Sequence, residues 1–153
     1  FEEKGRQPFL AETADALGIP AGPLRGKLVK GESITLEDGR IITPEMVTGA
    51  FKPGTRFAAI GDIGETESLV ELLRGVEGMV IEATYLQEEA DMARQYGHLT
   101  ARQAAEFALR IGAGKLILTH LSRRYRDKDV LAEAQALFGN TSVARDFDTF
   151  TIK

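Results

Sequence analysis

Lys115–Tyr125 reads KLILTHLSRRY. Apolar residues run to Thr119, and then a histidine, a leucine, a serine and two arginines follow. A short apolar run that stops abruptly at ionisable residues is the pattern of a strand buried in a sheet and ending in a loop. Only two histidines occur in 153 residues, so one spent at the mouth of a buried strand calls for a reason.

Two upstream stretches repeat the arrangement. RFAAIGD, 56–62, is an apolar run ending in Gly61-Asp62, and GMVIEATY, 78–85, carries Glu82 inside an apolar run. Between these runs lie segments with helical spacing. ETESLVELLRGV, 65–76, repeats Leu69, Leu72, Leu73 and Val76; EEADMARQYG and TARQAAEFALRIGA, punctuated by Gly97 and His98, form a pair of helices with Thr100 as the N-cap of the second; KDVLAEAQALFG, 128–139, is a further helix ended by Gly139. Strand followed by helix, repeated, predicts an α/β layered domain. SVARDF and DTFTIK are expected to close the chain as short strands.

The first third is different. FLAETADALGIP, 9–20, predicts a short helix stopped by Gly18 and Pro20, and AGPLRGKLVKGE, 21–32, a turn-rich connector with one helical turn. SITLEDGRIIT, 33–43, is a hairpin pattern around Asp38-Gly39. PEMVTGAFKPGT, 44–55, reads as a loop. The hairpin leads to the expectation of a mixed sheet with flanking helices.

Composition narrows the function classes. A hydrophobic share of 43% with 27% charged residues fits a globular chain with a core, and a net charge of −4 argues against coating nucleic acid with the whole surface. Without cysteine, disulfides and thiolate metal sites are excluded. No apolar run reaches the roughly 18 residues of a membrane span, so no membrane partner and a cytoplasmic location are expected. The chain begins at Phe1, which leads to the expectation of a processed or truncated product.

In open α/β sheets ligands gather beyond the carboxyl ends of the strands, where Asp62, Glu82 and His120 would converge. Carboxylate and imidazole there are competent ligands for zinc or manganese, and a second carboxylate can orient a histidine. Each residue alone also has a structural reading. Asp62 can be a turn or cap residue, Glu82 a paired buried carboxylate, His120 a structural histidine and His98 a helix-entry residue. The run Arg123, Arg124, Arg126 and Lys128 is either a solvated helix approach or a phosphate contact. Two histidines and one Gly-Asp cannot fill a two-metal site without further ligands.

The order of motifs resembles the C-terminal half of the ribonuclease Z family, tRNA 3′-processing endonucleases of the metallo-β-lactamase superfamily. LGIPAGPLRGKLVKGESITLEDGRIITPEMVTG, GDI, IEATY, GHLT and LTHLSRRY carry the resemblance over nearly the whole chain. It implies an α/β chain that is the C-terminal half of an αββα fold, with 1–153 a single partial domain lacking the N-terminal metal motif and the tRNA-binding arm. It further implies Asp62 and His120 as metal ligands, Glu82 and His98 as a catalytic pair with His98 not a ligand, and Arg124 beside substrate phosphates. The cofactor would be two zinc ions, other divalent metals being possible. The partners would be precursor tRNA, a second copy in a homodimer and a missing N-terminal segment. The reaction would be hydrolysis of the phosphodiester that joins tRNA to its 3′ trailer, with this stretch alone inactive or weak. Ile81, Leu99 and Arg123 depart from the family pattern, at positions where it has histidine, serine and serine. A hydrolase of small phosphodiesters or other esters, and a non-catalytic interaction module, are the competing readings.

Overall fold

The computed structural model describes residues 1–152, and Lys153 lies outside them. The chain divides into two compact units, one of Lys4–Gly54 and the other of Phe1–Glu3 with the chain from Thr55 onward.

In the first unit, α1 (Ala11–Ala16) stops at the sequence Leu17-Gly18, as expected, and Gly18 adopts a φ of 75°. The expected single turn after it is longer, because Pro23 opens a seven-residue helix, α2 (Pro23–Val29). Arg25 ties the two together by donating to the Ile19 carbonyl and to Asp15. Strands β1 (Ile34–Thr35) and β2 (Ile41–Ile42) pair antiparallel, as the hairpin pattern predicts. The connection is wider than a two-residue turn, since Thr35 pairs with Ile41 and Leu36 N–H donates to the Arg40 carbonyl. Within it only Gly39 takes positive φ, 84°, a conformation that glycine reaches without a Cβ clash. Ala14, Ile19, Leu28, Ile34, Ile42 and Val47 bury this unit's apolar side chains.

The second unit is built on four strands in the order β3 (Phe57–Ala59), β4 (Gly78–Glu82), β5 (Leu116–Thr119), β6 (Thr141–Val143). Every pairing is parallel. The expected mixed sheet is therefore corrected: the hairpin pairs only with itself, and the larger sheet contains no antiparallel strand among the described residues. The cause is the crossover helices, which return the chain to the same end before each strand: α3 (Val70–Leu73), α4 (Ala90–Tyr96), α5 (Ala101–Ile111) and α6 (Asp127–Gln135). The stretch 148–152 forms no strand, contrary to expectation; Ile152 instead packs so closely on Gly78 that a Cβ there would meet its Cδ1 at 2.7 Å.

One face of the sheet, through Met79, Ile81, Leu116 and Leu118, packs against helices. On α5 the buried residues Ala101, Ala104, Ala105, Ala108 and Ile111 recur at helical spacing, and the run of alanines lets the helix lie close to the strands. The other face carries Phe57, Val80 and Ile117, which with Phe150 and Ile152 line an apolar groove. No helix of the described residues is long and apolar enough to cross a membrane.

Two features place the end of the sheet where chemistry can occur. The register matches Glu82 to Thr119 across parallel strands, so the residues after β3, β4 and β5 emerge at one edge. The entry to α5 is held against the continuation of β4, since Tyr85 N–H donates to the Leu99 carbonyl and Ala101 N–H to the Tyr85 carbonyl. Thr100, fully buried, closes a capping box with Gln103 and donates its hydroxyl to Gln87 Oε1 at 2.8 Å. Thr100→Ala removes both interactions. It should lower stability by about 1–2 kcal/mol, seen as a melting temperature lower by roughly 2–8 °C. Thr100→Ser, which keeps the hydroxyl, should retain most of that stability in the same thermal unfolding experiment.

Candidate metal centre

Asp62 follows the end of β3 on a Gly61-Asp62 bend, and His120 is the first residue after β5. His120 has a φ of 53°, left-handed backbone that is uncommon for a residue with a Cβ and recurs where surrounding contacts over-determine it at functional sites. That turn leaves its Nδ1 3.4 Å from Asp62 Oδ1. His98 arrives from a different element. It sits just past the left-handed Gly97 that ends α4 and just before the capped start of α5. Its ring stacks on that of His120, with centroids 5.3 Å apart and planes at 28°.

The Gly97 turn and the Asp62 loop meet backbone to backbone. A Cβ on Gly64 would lie 3.0 Å from Gly97 Cα and 3.2 Å from its carbonyl carbon. The absence of a side chain at Gly64 thus allows the Asp62 and His98 segments to close on one another.

Beneath the two histidines lies Glu82, with no solvent exposure. A buried carboxylate is costly unless its oxygens are satisfied. Here Oε1 accepts from Ile63 N–H at 2.9 Å and pairs with His98 Nδ1 at 2.9 Å, and Oε2 accepts from the Thr84 hydroxyl at 2.5 Å and from Thr84 N–H at 3.3 Å. Burial by itself pushes the carboxyl group's pKa up, but the hydrogen bonds from Thr84, Ile63, His98 and Leu99 outweigh it and hold the group below its ordinary value. Glu82 is therefore an anion placed behind an imidazole, and the Glu82–His98 pairing read from the resemblance is present as a direct contact.

Asp62, His98 and His120 each offer a ligand atom, all within 4.8 Å of one another. Asp62 and His120 are half exposed, at 59% and 50% of their side chains, whereas His98 is 19% exposed. The set is open on one side and anchored on the other. Two imidazoles and one carboxylate are the nitrogen and oxygen donors that zinc and its neighbours among the divalent ions take, so the residues fit such a metal. His98 lies inside this donor group as well as on Glu82, a dual position that the sequence reading, which set it apart from the ligands, does not anticipate.

Arg124 lies elsewhere in its bonding. Its guanidinium donates to Glu89 Oε1 at 3.1 Å and to Met92 Sδ, and makes no hydrogen bond to the cluster among the described residues. Arg126 pairs with Asp129. The residue that sequence reasoning missed is Thr84, whose hydroxyl lies 2.9 Å from His120 Nδ1 and 3.4 Å from His98 Nδ1. The signal available for it is spacing: two residues past Glu82 on extended chain, it shares that residue's side.

The chain is 44% identical to Ribonuclease Z of Bradyrhizobium diazoefficiens, over 99% of this chain and 50% of that protein. It is 38% identical to Ribonuclease Z of Brevibacillus brevis, over 100% of this chain and 50% of that protein. The chain spans about half the length of the curated relatives it matches. Among solved structures, the metallo-beta-lactamase fold protein YhfI from Bacillus subtilis superposes with a TM-score of 0.51 at 22% identity, covering 55% of this chain and 34% of that one, a likeness of fold. A model of the beta-lactamase superfamily domain matches residues 31–121. With the αβ sheet, its helical cover and the cluster at the strand ends, that match places the chain in the beta-lactamase superfamily.

Proposed function

We propose that this chain supplies part of the active site of a zinc-dependent endoribonuclease that removes the 3′ trailer from precursor tRNA by phosphodiester hydrolysis. The observation that carries the reading is the convergence of Asp62, His98 and His120 at one sheet edge with Glu82 buried behind His98. The relatives named Ribonuclease Z, similar along the whole of this chain, supply the substrate class. The remaining ligands and the tRNA-gripping arm come from a further N-terminal segment, in a homodimer acting in the cytoplasm.

Asp62 and His120 would hold the metal, whose chemistry when bound is to polarise the phosphodiester and acidify water. The other roles belong to the chain itself. Glu82 accepts a hydrogen bond from His98 Nδ1, which fixes the ring and its tautomer. Nε2 of His98 is then the atom that faces the scissile phosphate and delivers a proton to the leaving 3′ oxygen. The buried position of Glu82 keeps water from competing for that Nδ1 proton.

Asp62→Ala in the assembled full-length protein should abolish metal-dependent cleavage of a precursor tRNA and reduce zinc content by elemental analysis. Two zinc ions retained in that variant would remove Asp62 from the ligand set. His98→Ala should slow cleavage by about 10²–10⁴-fold, the usual share of a proton-transfer residue, with zinc content unchanged. Loss of zinc on that substitution would make His98 a ligand. Arg124→Ala should reduce by about one the slope of log affinity for tRNA against log salt. An unchanged slope would leave its pairing with Glu89 as its whole role.

A further inference from the structure

Among the described residues, Thr84 is the one side chain that hydrogen-bonds with both histidines and the buried carboxylate. Its oxygen has four polar neighbours: Glu82 Oε2 at 2.5 Å, His120 Nδ1 at 2.9 Å, the His120 carbonyl at 3.1 Å and His98 Nδ1 at 3.4 Å. A hydroxyl has a single proton to donate. The anionic Glu82 oxygen is the nearest and strongest acceptor, and charge-assisted O–H···O⁻ bonds are the short ones. With its proton directed at Glu82, the Thr84 oxygen faces His120 Nδ1 as an acceptor. The Thr84 oxygen at 2.9 Å therefore calls for a proton on Nδ1.

We propose that Thr84 is a positioning residue: by donating to Glu82 and accepting from His120 Nδ1–H, it sets the tautomer of His120 and turns the lone pair of Nε2 outward for a divalent cation. This rests on the metal reading of the site and deepens it. Glu82 then serves both histidines, His98 directly and His120 through the Thr84 hydroxyl. Partners behind a ligating histidine of this kind fix its ring and its basicity, and their loss commonly lowers metal affinity 10–100-fold.

The test begins with the assembled full-length protein freed of metal, in which long-range ¹⁵N–¹H correlation spectra report which imidazole nitrogen carries the proton. The proposal expects His120 in the Nδ1–H form, and finding it in the Nε2–H form overturns the proposal whatever any variant does. Thr84→Val keeps the shape and removes the hydroxyl. It should mix the His120 tautomers and weaken zinc binding 10–100-fold in a competition titration with a chelator, while Thr84→Ser restores both. Unchanged tautomer and zinc affinity in a folded Thr84→Val chain also overturns the proposal. If Thr84→Val fails to fold, the wild-type spectrum and the Thr84→Ser chain decide, since Ser must reproduce the Nδ1–H form. Failure of the assembled full-length protein to bind zinc overturns the metal reading and this proposal's cation with it, a result distinguishable from a wrong tautomer because the spectrum needs no metal.

Discussion

Glu82 is a carboxylate at the end of a central strand with no contact with solvent, and most of the site follows from the requirement that its two oxygens be satisfied. Ionised and unpartnered, such a group would be several kcal/mol out of place. Satisfying it recruits a backbone N–H from the loop after β3, a hydroxyl from two residues past the end of its own strand, and an imidazole from the loop between α4 and α5. Three segments far apart in sequence are thus pulled to one anion. Asp62 lies next to the residue whose N–H is used, and His120 next to the hydroxyl, so the exposed donor cluster forms as the outer layer of the inner one.

The parallel sheet makes this possible. In a parallel ladder all carboxyl ends lie at one edge, and the register of Glu82 with Thr119 brings the end of β4 level with the end of β5. An antiparallel neighbour would have sent every second strand end to the far side. The left-handed backbone at His120 and the side-chain-free contact of Gly64 with Gly97 are local consequences of crowding three loops at that edge. The capping box at Thr100 holds the third of these loops in register.

The surface arginines contribute in a different currency. Two of the four cations in the run after His120 are engaged with carboxylates, Arg124 with Glu89 and Arg126 with Asp129, at exposed positions where single ion pairs add little to stability. These surface pairs lie outside the core, whereas the buried Glu82–His98 contact is part of the fold.

Local pattern in the sequence was enough to determine the element types: apolar runs at 57–60, 78–83 and 116–119, helical spacing in α5 with its Thr100 cap, and the hairpin around Gly39. These depend on neighbours a few residues apart, as do the ionisable residues that end the strands, so Asp62, Glu82 and His120 were legible as candidates. Whether the hairpin would join the larger sheet depended on long-range pairing, which carries no local signature, and it did not join. The fate of 148–152 was likewise settled by packing of Ile152 on Gly78 and not by its β-like composition. Spacing puts Thr84 on the side of Glu82, but its contacts with both histidines and the place of His98 among the donors were beyond reach of the sequence for the same reason. A hydroxyl becomes a hub, and a histidine a neighbour of another, only when separate loops are closed on one another. The distances that decide this are set by the fold acting on residues 62, 84, 98 and 120 together.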